Sequence, residues 1–113
     1  MTIREIAAAL DTEILHDEFK DVEISAAYTS DLLSDVMAHA RGGGALITIQ
    51  AHKNTVAVAT LVNVTVIIIC NTRPVPDEML AAAREEGIAV LLASENQFTV
   101  SGKLYKMLNK DNL

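Results

Sequence analysis

The apolar residues of this chain change their period several times, and each change marks an element. Ile3, Ile6, Ala7 and Leu10 fall at i, i+3, i+4 and i+7, one face of a first helix. Thr2 and Glu5 form a capping box at its start, each side chain satisfying a free backbone donor. Glu13 to His16 reads as a short strand, followed by an acidic turn through Asp17, Glu18 and Asp21. Val22, Ile24 and Ala26 alternate with Glu23, Ser25 and Ala27, the pattern of a half-buried strand running to Tyr28. A second helix is expected over Asp31 to Ala40, capped by Thr29 or Ser30, with Leu32, Leu33, Val36, Met37 and Ala40 on its apolar face. Arg41-Gly42-Gly43-Gly44 would stop it in a left-handed turn.

A strand–helix rhythm then takes over. Ala45 to Gln50, Val64 to Cys70 and Ile88 to Ala93 are almost wholly apolar strands. Asn54 to Val62 reads as a helix, although Val56, Val58 and Thr60 would also fit a strand. Pro76 opens a helix with Asp77 and Glu78 in its first turn, and Gly87 closes it. Ser94 and Gln97 look like a second capping box, opening a last helix with Val100, Leu104, Met107 and Leu108 on one face. Strands without a polar face, separated by helices, require cover on both sides. The expected fold is one α/β domain over residues 1–113, a three-layer sandwich with a mostly parallel central sheet and helices on both faces.

Half of the 113 residues are hydrophobic, enough for a contiguous core, and apolar runs such as Val66 to Cys70 are far too short to cross a membrane. The start lacks the charged and apolar regions of a secretory signal, and a lone Cys70 suits a reducing compartment, so a cytoplasmic location is expected. Fifteen acidic against nine basic residues give a net charge of −6, which repels a phosphate backbone; four aromatic residues offer little stacking surface. Nucleic acid is therefore not an expected partner.

Ligands of open parallel sheets bind beyond the carboxyl ends of the strands. That rule selects Ser30 and Asp31 after the early strand, Gln50, His52, Lys53 and Asn54 after the next, Asn71 and Arg73 after the third, and Ser94 and Asn96 after the last. These residues offer donors, an acid, an imidazole and two cations, and they equally suit ordinary caps and turns. Gly42-Gly43-Gly44 is no phosphate loop: it precedes a strand and lacks the Lys-Ser/Thr pair. His52 is the best-placed acid–base group, yet no Ser/His/Asp or Cys/His arrangement accompanies it. Cys70 reads as a small buried hydrophobe. His16, His39 and His52 lack zinc-ligand spacing. Asp31 and Asp35, at i and i+4 of the expected helix, could face a magnesium ion but more simply form a solvated face. No metal or organic cofactor is implied.

The run Thr29-Ser30-Asp31-Leu32-Leu33-Ser34-Asp35-Val36-Met37, with Gly44-Ala45-Leu46-Ile47-Thr48-Ile49-Gln50 and Ala57-Val58-Ala59, resembles the DRTGG domain family over roughly residues 1–108. Such domains stand beside CBS domains in regulated pyrophosphatases and are related to the N-terminal domain of HPr kinase. Stand-alone forms accompany iron-hydrogenase and electron-transfer subunits. The resemblance implies a non-catalytic regulatory module, a homodimer, and a nucleotide, phosphorylated metabolite or protein as the partner. A structural subunit of a redox complex and a small phosphoryl-transfer enzyme are the alternatives. The loop that carries a Gly-Asp-Arg stretch in the family reads Ala51-His52-Lys53-Asn54 here, without the acid and with Lys53 in the place of the arginine.

Overall fold

The computed structural model describes residues 1–40, 42 and 44–110. Its order is α1 (Ile3–Ala9), β1 (Glu13–Ile14), β2 (Ala27–Thr29), α2 (Leu33–His39), β3 (Ala45–Thr48), α3 (Lys53–Leu61), β4 (Val66–Ile69), α4 (Asp77–Glu86), β5 (Ala89–Leu92) and α5 (Gln97–Leu108). The five strands form one sheet in the order β1-β5-β4-β3-β2. β2 to β5 run parallel, and β1 joins β5 antiparallel at one edge.

Because β2, β3, β4 and β5 lie side by side in chain order, crossovers of one hand put α2, α3 and α4 on the same face. Side-chain alternation confirms this. Leu46, Ile67, Ile69 and Val90 pack with Val36, Val56, Ala59, Met79 and Ala83 of those three helices. Ala45, Ile47, Val66, Ile68 and Leu91 point the other way, into a core completed by Ile3 and Ile6 of α1 and Val100 and Leu104 of α5. The sheet is thus covered on both faces, as the apolar strands require. No helix among the described residues is long and apolar enough to cross a membrane.

The expected boundaries hold where the signal is local. The Thr2–Glu5 capping box forms in full. Gly87 closes α4 in the left-handed conformation at φ 69°. Residues 53–61 are helical, which settles the ambiguous segment. The three apolar strands are each shorter than expected, because β3, β4 and β5 end where their ladders stop.

Other expectations fail for identifiable reasons. The strand expected from Val22 to Tyr28 begins only at Ala27, because its first half bonds to the N-terminus instead of the sheet. Ile3 N–H donates to Val22 O, Ile24 N–H donates to Met1 O, and Glu23 bridges Thr2. α2 starts at Leu33 after an extended Leu32 with no side-chain cap, so neither Thr29 nor Ser30 caps it. Asp31 consequently lies outside the helix and shares no helix face with Asp35. Leu32 and Met37, expected on the apolar face, are exposed. Ala40 ends α2 in an extended conformation rather than a left-handed one; Arg41 and Gly43 of the expected stop lie outside the described residues. α5 is capped by Asn96, whose side chain accepts from Thr99 N–H, so Ser94 and Gln97 form no capping box.

Gly44 is needed for space. A Cβ there would stand 2.6 Å from Ala26 O, the carbonyl that accepts from Ala45 N–H where β2 meets β3. Gly44→Ala is expected to cost about 1–3 kcal/mol by forcing these backbones apart; the fall in the urea midpoint measures it.

Candidate functional site

Parallel pairing brings the carboxyl ends of β2, β3, β4 and β5 to one edge, so the four exit loops selected from the sequence do lie along one rim. The structure divides their residues into two groups. Ser30, Asp31, His52 and Asn96 use their side chains to hold the rim together, His52 and Asn96 while exposed themselves; Gln50, Lys53, Asn54, Asn71, Arg73 and Ser94 are exposed on it.

Asp31 is the knot of the first group. Its Oδ1 accepts from Thr48 Oγ1 at 3.2 Å and from Ile49 N–H at 3.1 Å, and its Oδ2 accepts from Gln97 Nε2 at 3.1 Å. One carboxylate therefore ties the β2 exit to the β3 exit and to the first turn of α5, 66 residues away in sequence. Thr48 is fully buried, and its hydroxyl also accepts from Gln50 N–H at 3.1 Å. Thr55 Oγ1 donates to Gln50 O at 2.6 Å and fixes the far side of the same loop.

The remaining holders act locally. Ser30 Oγ accepts from Leu32 N–H at 3.2 Å, turning the chain into α2. His52 is the N-cap of α3, its Nδ1 accepting from Asn54 N–H at 3.0 Å. An accepting Nδ1 leaves the proton of the neutral ring on Nε2. The imidazole thus performs the task that Ser, Asp or Asn usually performs at a helix start.

After β4 the backbone is strained. Asn71 at φ 62° and Thr72 at φ 50° are both left-handed, a region that costs an L-residue roughly 1–2 kcal/mol. The strain is maintained by hydrogen bonds to the neighbouring exit, Asn71 N–H donating to Glu95 O and Thr72 N–H to Ala93 O, and by a local turn in which Arg73 N–H donates to Cys70 O. These three amides are engaged and form no free anion nest; the loop presents side chains instead. Lys53 pairs with Glu78 at 3.2 Å, and among the described residues Arg73 makes no ion pair.

Cys70, at the end of β4, is buried, and burial with the nearby Asp31 charge pushes its thiol up to about 11. It has almost no thiolate at neutral pH and is no nucleophile there. Among the described residues no group of three or more His, Cys, Asp or Glu could hold a metal ion. None of the five cavities described is lined by residues 71–73 or 94–96; Lys53 and Asn54 border one that lies between α3 and α4.

Sequence reasoning missed three features. Thr48 is the lone polar residue in the run Ala45 to Ile49, and that exception was the available signal. Phe98, 88% exposed, stands on the first turn of α5 beside Gln97. Tyr28 OH donates to Asp35 Oδ2 at 2.8 Å, and Asp35 Oδ1 meets His39 Nδ1 at 3.0 Å. The Tyr28 bond, with Ser30 and His39 adding to it, holds the Asp35 carboxyl below its ordinary value; the same bond pushes the Tyr28 phenol up.

No family model matches the chain, and no curated protein is similar to it at a significant level. Among solved structures, the fold is similar to the CBS and DRTGG domains of the regulatory region of the Clostridium perfringens pyrophosphatase, complexed with its activator diadenosine tetraphosphate. The TM-score is 0.77 at 15% identity, covering 91% of this chain and 45% of that one. The chain therefore spans less than half the length of that regulatory region, and at this identity the likeness is one of fold.

Two outcomes follow from the rim. Asp31→Ala should leave the buried Thr48 hydroxyl without its acceptor and the Ile49 amide unpaired, and lower stability by about 1–3 kcal/mol, whereas Asn54→Ala should change little; urea unfolding of both variants checks this. Cys70 should resist a disulfide reagent in the native protein at neutral pH and react only on unfolding, followed by absorbance of the released thiol.

Proposed function

We propose that this chain is a non-catalytic regulatory module of the DRTGG type, which binds a phosphorylated ligand, a nucleotide first among them, on its strand-exit rim. The observation that carries the reading is the division of the rim. The groups with acid–base or nucleophilic capacity are committed to structure: Asp31 by three donors, His52 Nδ1 by the α3 cap, Cys70 by burial. What is left exposed can hold a ligand but is poorly equipped to transform it: Gln50, Asn54, Asn71 and Ser94 as hydrogen-bonding groups, Lys53 and Arg73 as cations. Ser30, Asp31, His52 and Asn96 then serve as the frame of the site.

The fold supports the same reading, since a similar fold occurs in a pyrophosphatase regulatory region that binds a dinucleotide activator. A polyphosphate would offset the acidic field of the protein where Arg73 and Lys53, the latter paired with Glu78, are exposed on neighbouring exits. A cytoplasmic homodimer working beside electron-transfer proteins of the hydrogenase type completes the proposal, and that context rests on the resemblance in sequence.

A thermal-shift series with diadenosine tetraphosphate, ATP and AMP tests the ligand class. Binding to the folded state at about 100 times the dissociation constant adds about 2.7 kcal/mol, a readily visible rise in Tm. The expected result is a shift with at least one nucleotide that is lost in Arg73→Ala and reduced in Lys53→Ala. Silence across the series, or a shift indifferent to both variants, would remove the nucleotide from the account and favour a protein–protein adaptor.

A further inference from the structure

We propose that the exposed face of α5, with the free edge of β2 beside it, is the surface through which two copies of this chain associate. The inference deepens the homodimer reading by naming its interface. Phe98 is 88% exposed and Tyr105 62% exposed, and they lie seven residues apart, two turns along one face of a 12-residue helix. Midway between them stand Ser101 and Gly102. Glycine inside a helix costs stability, and a Cβ at Gly102 would meet nothing within 4 Å, so no contact among the described residues accounts for it.

Alongside this face runs a groove of about 330 Å³ lined by Ala26, Ala27, Thr29, Ile47, Tyr105 and Leu108. Its walls are fixed by the bond between Thr29 Oγ1 and Ser101 Oγ at 2.7 Å. Among the described residues β2 has a partner only in β3, and its other edge is unpaired. The molecule thus presents an aromatic knob, Phe98, and a groove of mixed lining, with Ser25 and Asn109 among its polar residues, on one surface, and the bare backbone of Gly102 between them.

That arrangement is self-complementary. A two-fold axis through Ser101 and Gly102 reverses the helix and carries Phe98 of the second copy onto Tyr105, at the mouth of the groove. The same contact is made a second time by symmetry. Gly102 lets the two helix backbones approach where they cross. Lys106 and its symmetry mate lie about 13 Å apart along the helix direction, beyond the screening length of about 8 Å at physiological ionic strength. Phe98 and Tyr105 keep 88% and 62% of their surface exposed, so the pair from each of two copies can bury roughly 450–750 Å². The glycine crossing and the β2 edge bring the total towards the 1,200–2,000 Å² typical of a specific interface.

Light scattering at micromolar concentration tests this. The wild-type chain should run at twice its 12.2 kDa mass. Phe98→Asp and Gly102→Gln should weaken the dimer by about 30-fold or more, as loss of a hot-spot aromatic does. Tyr105→Ser guards against an effect peculiar to one variant, and unchanged circular dichroism shows that each folds. Leu61→Asp, at the exposed C-terminal end of α3, should leave the dimer intact. A dimer that survives Phe98→Asp and Tyr105→Ser overturns the interface while leaving the homodimer reading standing. A monomeric wild type overturns both.

Discussion

Within β3, β4 and β5 every side chain but one is apolar, and the exception is Thr48. A strand buried on both faces has nowhere to put a polar group unless a partner comes to it, because an unpaired buried hydroxyl is costly. Asp31 is that partner. By accepting from Thr48, Ile49 and Gln97 it answers the one polar demand of the sheet and, in the same act, locks the carboxyl ends of the strands to the start of α5. The geometry of the rim depends on this carboxylate.

The strand order makes such a lock necessary. With β2 to β5 consecutive, three helices share one face, and α5 must cover the other by returning across the sheet to pack on β2 and β3. Its apolar stripe, Val100 and Leu104 with Met107 and Leu108 packed beside them, and the ties at Thr29 and Asp31 fix it there. The same return leaves the outer face of α5 uncovered, with Phe98, Gly102 and Tyr105 on it. The architecture therefore yields two surfaces from one constraint: a polar rim held by internal bonds, and an aromatic helix face with no partner among the described residues.

How much of this could be read from the chain follows the range of the interactions. Thr2 and Glu5, Pro76 and Gly87, and the apolar strands depend on neighbours in sequence or on burial alone, and all were legible. The false strand at Val22 to Ala26 has the right alternation, but its backbone partners belong to the N-terminus, which periodicity cannot reveal. Asp31 was correctly placed at a strand exit and wrongly placed in a helix, because its three partners are 17, 18 and 66 residues distant. The caps were the hardest: Ser94 and Asn96 are two residues apart and both suited, and only the path of the chain decides for Asn96.

The central claim is that the rim carries the ligand and its frame does not move to do so. Hydrogen exchange with and without diadenosine tetraphosphate measures this most directly. The account predicts slowed exchange confined to residues 50–54 and 71–73, with the amide of Ile49, already held by Asp31, unchanged. Protection confined to the α3–α4 groove, or no change in either loop at a saturating ligand concentration, would contradict it.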